Sequence, residues 1–415
     1  MKKIVTGLFL SLSFCLNAQE TLNAMFYNLF KFPNALPQNR ELILQSILDD
    51  YKPDLFMVCE LATENAADLI LNTSLQNQVD TFARANFVAD VSKPDDPIQT
   101  MVYYNTRKLT LLSQQKLVTV YRDINQYSFK VNVDPANPIY LEVFVAHLKS
   151  STGAANQQTR LQMVEAVTNK LQQLTQPNTF VLFAGDFNFY TANEPGYQKI
   201  IDPQNAIVLK DPINMPGSWQ DNPAFAHIHT QSTRVSSVGF GGGTNSGAGG
   251  GVDDRFDFIM MSENFINNTR FSYINGTYKA YGNNGDCLNK DVNDTASVGV
   301  YSQTLRNQLY NMSDHMPVVM QFQVNENLST KEVSMKPLMW FESSNKTDGE
   351  LHVGVNLDLI KSTQTTLSIY NTLGKLVTSI PVRSKSVVIS IEDFASGLYF
   401  IKMSGTNSVL KFTKK

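Results

Sequence analysis

The chain has 415 residues, with 34 Lys and Arg against 37 Asp and Glu, a net charge of −3 and only three cysteines. That length suits two or three domains, and so few cysteines exclude a disulfide framework, so a hydrophobic core must hold the fold. The charge is uneven: residues 19–330 carry about 21 basic and 30 acidic groups, near −9, which argues against a passive binder of nucleic acid but not against an enzyme that gathers carboxylates around a cation.

Residues 1–18 pair Lys2 and Lys3 with an apolar run from Ile4 to Leu16 and small Ala18, the pattern of a secretory signal cleaved after Ala18. Bulky Phe14 before Cys15 speaks against a lipoprotein. No later run approaches the roughly 18 consecutive apolar residues a membrane span needs. Leu22–Asn28 reads as a strand ending in a polar residue, Arg40–Asp50 as a helix stopped by Pro53, and Asp54–Leu61 as a buried strand with Glu60 at its end. Met101–Asn105, Leu111–Tyr121 and Ser128–Val133 follow as a meander, with a turn over Asp134–Pro138. Ile139–Leu148 is a strong strand that carries His147, and Thr159–Leu174 a helix with Leu161, Val164, Val167 and Leu171 on one face.

That helix leads into Thr179–Tyr190, TFVLFAGDFNFY. Phe180–Ala184 is too short for an ordinary helix and suits a buried strand. If the chain stays extended, Asp186 and Asn188 point to one side while Phe187 and Phe189 point inward, and Gly185 leaves room for a substrate oxygen to approach the main chain. Residues 191–250 are loop-rich; Gly239–Gly251 lacks the Lys-Ser/Thr ending of a phosphate-cradling loop and reads as a spacer or lid. Phe256–Met261 is a further strand holding Asp257, and Ser313, Asp314 and His315 precede a closing strand at Met316–Val324. Asp254 and Arg255 read either as cleft-lining residues or as a surface ion pair, and His227 with His229 either as substrate contacts or as half of a zinc site that nothing nearby completes.

Strand after strand thus ends in a metal-binding or acid-base side chain, as a site along one sheet edge requires. The ordered motifs YNLF, CEL, AHLKS, GDFN, RFDFI and SDHMPVV, across residues 22–324, resemble the endonuclease/exonuclease/phosphatase family. The resemblance implies a four-layered α/β sandwich, two packed mixed sheets flanked by helices, and metal-dependent hydrolysis of phosphoric esters. It implies that Asn28 and Glu60 lie at a divalent cation, with Glu60 as direct ligand and Asp314 beside it. It places Asp186 and Asn188 at the attacking water and the phosphoryl group, His315 as the catalytic histidine polarised by Asp257, and His147 at the scissile phosphate or leaving group. The implied ion is Mg²⁺, with Mn²⁺ or Ca²⁺ as alternatives, since a sparse carboxylate site leaves positions for water and phosphate oxygens. Whether Asp186 or His315 is the base stays open, with Asp186 preferred.

After a polar linker at 326–335, short strands at Leu351–Leu359, Gln364–Tyr370, Lys375–Val382, Val387–Ile391 and Leu398–Met403 read as a small all-β sandwich over 336–415. LSIYNTLGKLV, DFASGLYFIKM and the closing KFTKK resemble the sorting domain of the bacterial type IX secretion route, although the Pro-Asn-Pro that often opens it is replaced near 342–349 by ESSNKTDG. The domains expected are therefore a signal at 1–18, a catalytic domain at 19–325 and the sorting domain at 336–415. The function expected is a secreted or cell-surface phosphodiesterase, a nuclease acting on extracellular nucleic acid, whose partners are that substrate and the type IX machinery. The alternatives are a phosphatase or phospholipase C-type hydrolase, for which the Pro-Ala-Trp-Cys-Asp-Arg stretch and a tryptophan-bearing hairpin are missing, and a non-catalytic binding module, for which a decayed site would be expected.

Overall fold

The computed structural model describes residues 19–75, 81–96, 98–133, 137–174, 179–236, 247–325, 338–357, 365–406 and 408–415. The signal at 1–18, the linker at 326–335, most of Gly239–Gly251 and part of the Asp134–Pro138 turn lie outside them. The chain divides into two compact units, Met1–Asn327 and Leu328–Lys415.

In the first unit the elements run β1 (Gln19–Phe32), α1 (Arg40–Tyr51), β2 (Leu55–Leu61), α2 (Glu64–Leu69), β3 (Phe82–Arg84), β4 (Gln99–Asn105), β5 (Leu109–Leu117), β6 (Ile124–Val131) and β7 (Ile139–His147). They continue with α3 (Ala154–Leu171), β8 (Thr179–Asp186), α4 (Pro195–Ile200), β9 (Leu209–Lys210), β10 (Asp257–Ser262), β11 (Phe271–Tyr273), β12 (Lys279–Ala280), α5 (Gln303–Met312) and β13 (Val318–Asn325). Among the described residues one sheet has the order β11-β13-β1-β2-β4-β3, with β12 also on β13, and the other β5-β6-β7-β8-β10-β9. Both mix parallel and antiparallel pairs, β1–β2 and β7–β8 being parallel.

The layering follows from the two-residue period of the strands. Leu141, Val143 and Val145 of β7, Phe180, Leu182 and Ala184 of β8, and Ile259 and Met261 of β10 face the first sheet in the larger core. Their alternates Phe144, Ala146, Val181, Phe183, Phe258 and Met260 pack with Met163, Val164, Val167 and Leu171 of α3 in a second core. Leu44, Ile47 and Leu48 of α1 and Leu305, Leu309 and Met312 of α5 join the first sheet's core, which gives helices, sheet, sheet and helices. This is the four-layered α/β sandwich. Strands buried on both faces need apolar residues without a break, which is why β7 and β8 read as continuous apolar runs.

The register brings the chemistry-bearing residues to one end. His147 lies beside Asp186 across β7–β8, and Asp186 beside Asp257 across β8–β10. In the other sheet Asn28 pairs with Cys59, next to Glu60, and Phe26 with Val318, so the start of β13 lies at the same end. α5, which the sequence reading did not find, carries the chain to Asp314 and His315.

The second unit holds β14 (Met339–Phe341), β15 (Lys346–Thr347), β16 (Glu350–Val355), β17 (Thr366–Asn371), β18 (Leu376–Pro381), β19 (Ser386–Ser390), β20 (Gly397–Met403) and β21 (Val409–Lys414). They form sheets β14-β16-β19 and β15-β21-β20-β17-β18 around a core that includes Leu351, Val353, Leu367, Ile369, Ile389, Ile401 and Phe412, a small β-sandwich.

Gly185 corrects an expectation. Its missing side chain makes room for protein rather than substrate: a Cβ there would sit 2.3 Å from the Ala146 carbonyl oxygen and 2.8 Å from the Phe187 ring. Gly185→Ala is expected to destabilise the fold by about 1–3 kcal/mol, the usual cost of overpacking, in urea unfolding. An unchanged midpoint would show that the strand pair has slack.

Candidate active site

Asp186 ends β8 with its side chain buried. Its Oδ1 accepts from the backbone N–H of Asn188 at 3.2 Å and from the Asn188 side-chain amide at 2.8 Å. The chain is not extended between them, as had been expected: Asn188 adopts φ 53°, a left-handed conformation that Asn tolerates, and this turn folds its amide back onto Asp186. Phe187 and Phe189 still pack inward, against Phe258.

Asn28 reaches this carboxylate from the other sheet. Its Nδ2 donates to Asp186 Oδ2 and to Glu60 Oε1, both at 3.1 Å, and lies 3.3 Å from His315 Nε2. Its Oδ1 accepts from the Phe30 N–H at 3.0 Å, so Asn28 aims two carboxylates and presents nitrogen to the space between them. Glu60 has φ 59° where the pairing of β2 with both its neighbours shifts register, a bulge that re-aims a side chain out of a regular strand. Its Oε2 accepts from the Lys31 N–H at 3.0 Å. Asp314 Oδ2 accepts from the Ala248 N–H at 2.7 Å, while its Oδ1 is buried without a protein partner among the described residues.

His315 Nδ1 lies 2.7 Å from Asp257 Oδ2, and its Nε2 lies 3.7 Å from Asp186 Oδ2. His147 Nε2 approaches the same Asp186 oxygen at 3.5 Å. All eight sequence-derived residues therefore gather at one end of the two sheets. Sequence reasoning missed Gln231, whose Nε2 is 2.5 Å from His315 Nε2. It also missed Arg40, buried in α1, which donates to the carbonyls of Phe30 and Met312 and so ties the segment after Asn28 to the segment before Asp314. A charged residue opening a helix gives no signal of that task.

The electrostatics follow from burial. Asp186 is pushed up to about 7, by desolvation first and then by Asp257 and Glu60, against the pull of His315 and the Asn28 hydrogen bond. Glu60 is raised by burial and by Asp314. Burial alone would lower His315, but Asp257 and Asp186 hold it well above its ordinary value. His147 has no such carboxylate at hydrogen-bond distance and is driven well below, by burial and then by Arg122. The two histidines are thus shifted in opposite directions, His315 toward the cation and His147 toward the neutral imidazole.

Among the described residues no group of three or more His, Cys, Asp or Glu side chains forms a metal cage. What they offer is a sparse pair of hard oxygen donors, Glu60 and Asp314, close enough for Asp314 to raise Glu60 and with one Asp314 oxygen lacking a partner. That suits Mg²⁺, which takes one or two carboxylates and keeps other positions for water and substrate oxygens, and it does not suit a tetrahedral zinc site. His229 is spoken for elsewhere: it is buried, with Nε2 2.7 Å from the Trp219 carbonyl oxygen. Arg255 lines no cleft and makes no surface pair; it is buried and bidentate to Asp211 at 2.8 and 2.9 Å.

Residues 347–415 match the family described as the secretion system C-terminal sorting domain. This marks the chain for export, to a secreted or cell-surface location. Among the described residues no helix is long and apolar enough to cross a membrane. No curated protein matches the chain. Among solved structures, it is similar to the human Nocturnin catalytic domain with bound sulfate (12% identity, 74% of this chain and 95% of that one, TM-score 0.47). It is also similar to endonuclease/exonuclease/phosphatase proteins from Bacteroides thetaiotaomicron (14%, 74% and 96%, 0.45) and Beutenbergia cavernae (13%, 95% and 99%, 0.44).

The raised Asp186 value has a definite sign. The folded chain keeps a proton that the unfolded chain loses near pH 4, so this group costs stability progressively as pH rises from about 4 to about 7. His315 has the same sign over a higher window: its contribution is fully present below about pH 6.5 and is lost as pH passes its raised folded value. Carboxyl NMR of the metal-free protein is expected to show two Asp side chains titrating near pH 7, Asp186 and Asp254, of which the first disappears in Asp186→Asn; a midpoint near 4 for Asp186 would contradict the site's desolvation.

Proposed function

We propose that the chain is an exported, divalent-metal-dependent phosphodiesterase of the endonuclease/exonuclease/phosphatase family, a nuclease that hydrolyses extracellular nucleic acid. The observation that carries this reading is the convergence on Asp186 of Asn28 at 3.1 Å and of two histidines at 3.5 and 3.7 Å whose pKa values shift in opposite directions, beside a sparse carboxylate pair. Export would use the type IX route, with the C-terminal domain engaging its machinery.

Phosphoryl transfer asks for in-line positioning and charge stabilisation rather than covalent chemistry. A divalent cation held by Glu60 and Asp314 would supply Lewis-acid stabilisation of the phosphoryl oxygens. Asp186 accepts the proton of the attacking water; a base with a pKa near the working pH is both ionised and strong enough. Asn188 and Asn28 hold that carboxylate from either side, so it does not turn away. His315, kept protonated by Asp257, donates from Nε2 to the developing negative charge. His147 donates from Nε2 as a neutral imidazole, which positions a phosphoryl oxygen without adding a second cation.

The test uses supercoiled plasmid and, in parallel, bis-p-nitrophenyl phosphate, each with Mg²⁺ or EDTA, beside Asp186→Ala and His315→Ala. Mg²⁺-dependent nicking is expected, lost with EDTA and reduced by about 10²–10⁴-fold in each variant, as removal of a general base or a charge-stabilising donor does. Cleavage of the small diester with plasmid intact would redirect the reading to a headgroup or small-molecule phosphodiesterase. Inactivity on both would overturn the diesterase reading.

A further inference from the structure

Among the described residues, cations crowd around Tyr121, just outside the pocket. Lys93 Nζ lies 4.4 Å from the ring centroid and donates to Tyr121 Oη at 2.7 Å. The Arg122 guanidinium carbon lies 4.8 Å and Lys149 Nζ 5.1 Å from the same centroid. The carboxylate bonded to this group is Asp96, 3.1 Å from Lys93 and 2.9 Å from Arg122. Exposed Asp95 precedes it in sequence. Two further carboxylates adjoin the group, Asp90, which accepts from the Lys93 N–H at 3.0 Å, and Asp123, which accepts from the Val91 N–H at 2.6 Å and lies 3.6 Å from Lys116. Asp96 is the one bonded to the side-chain cations themselves, and the three cations at the ring repel each other at this range. The Tyr121 hydroxyl registers the local field: burial would raise its pKa, but the Lys93 hydrogen bond and the charges of Arg122 and Lys149 bring it below the ordinary value.

The cluster is tied to the site through one carbonyl. Leu148 O accepts from Arg122 Nη1 at 3.3 Å and from Asn188 Nδ2 at 3.4 Å, between His147 on one side and Lys149 on the other. Arg122 and Lys93 are also among the charges that hold His147 neutral. Continuing the β6–β7 register from Asn125 and Val145 sets Arg122 about one strand spacing, or about 5 Å, from the end of β7, and Lys149 follows β7 two residues after His147. Arg122 is buried and committed to Asp96 and the Leu148 carbonyl, whereas the Lys93 side chain is 35% exposed. Lys149 Nζ is bonded to the neighbouring Ser150 carbonyl at 2.9 Å, and each ammonium, with three protons, keeps donors for an anion.

We propose that Lys93, Lys149 and Arg122, gathered on Tyr121, form a second anion subsite that binds the phosphate next to the one being cleaved. The preferred substrate then carries two phosphates joined by a short linker, as successive units of a nucleic acid do, rather than a single esterified headgroup. This rests on the phosphodiesterase reading above. Binding through two local lysines also reconciles an acidic domain with a polyanionic substrate, because the attraction is confined to the cleft.

Binding and turnover test it separately. In the His315→Ala protein with Mg²⁺, calorimetry would compare thymidine 3′,5′-bisphosphate with thymidine 5′-phosphate. The bisphosphate is expected to bind about tenfold tighter or more, with that preference reduced in Lys93→Gln and in Lys149→Gln singly and abolished in the pair. Tyr121→Phe, which keeps the ring, is expected to retain most of it, and circular dichroism confirms that each variant is folded. Equal affinity for the two ligands, or an undiminished preference in the folded double variant, would overturn the subsite. Turnover by the unsubstituted protein of thymidylyl-thymidine, with and without a terminal phosphate, separates the two readings. Turnover without preference removes the subsite alone, whereas a retained bisphosphate preference without any turnover removes the diesterase reading and leaves the subsite standing.

Discussion

Two polar contacts join the sheets at one end of the sandwich, and the rest of the site depends on them. Asn28 of β1 donates to Asp186 of β8 at 3.1 Å, and His315, just before β13, meets Asp257 of β10 at 2.7 Å. Elsewhere the described residues between the sheets are mainly aliphatic and aromatic, with the buried Asn125–Thr100 hydrogen bond at 2.8 Å between β6 and β4 as a further polar contact. Burial is what gives the Asn28 and His315 contacts their chemical character. A carboxylate that loses water without a compensating cation rises toward neutrality, and an imidazole between two carboxylates stays protonated despite its burial. The seam between the sheets and the reactive groups are therefore the same atoms.

Such a seam needs loops that hold still, and buried guanidinium groups hold them. Arg40 binds the Phe30 and Met312 carbonyls, fixing the segments that flank Asn28 and Asp314. Arg160 of α3 pairs with Glu194 at 2.8 Å and donates to the carbonyls of Lys149 and Ser151, while Glu194 also accepts from the Tyr190 N–H. That one pair steadies the loops after both β7 and β8, which carry His147, Asp186 and Asn188. Arg306 does similar work for the loop before α5, on the carbonyls of Val292, Asp294 and Ser297. A planar fork with several donors can satisfy multiple loop carbonyls at once, which a lysine ammonium does less well.

The parts legible in the sequence were those fixed by local pattern. Apolar runs located β2, β4, β7, β8, β10 and β13 to within a few residues, because strands covered on both faces cannot carry polar residues. The site residues were legible because they stand at the ends of those runs in motifs of definite order. What stayed hidden depends on contacts distant in sequence. α5 (Gln303–Met312) is the exception: Leu305, Leu309 and Met312 recur at i, i+4 and i+7 behind a Ser302 cap, so its period was present in a mostly polar segment that reads at first as loop. The short β9, β11 and β12 exist because longer strands offer edges to pair with. The left-handed turns at Glu60 and Asn188 are permitted by no glycine signal, and only the surrounding bonds explain why they persist. Arg255, taken from its neighbours as a surface or cleft residue, is buried because Asp211, 44 positions away, supplies a matching carboxylate.

The opposite pKa shifts of the two histidines have a structural cause that bears on the chemistry. Both imidazoles are buried and both approach the same Asp186 oxygen, at 3.5 and 3.7 Å, so burial and Asp186 alone would treat them alike. What separates them is the second neighbour: Asp257 for His315, Arg122 for His147. Had both been protonated, two adjacent cations would stabilise Asp186 as a weak, fully ionised base and bind a ground-state phosphate as tightly as a transition state. Had both been neutral, the developing charge would meet no protein cation at all. With the two shifts opposed, Asp186 stands near neutrality and the positive charge of the pair falls on the side of His315, while Arg122 and Lys93 act on His147.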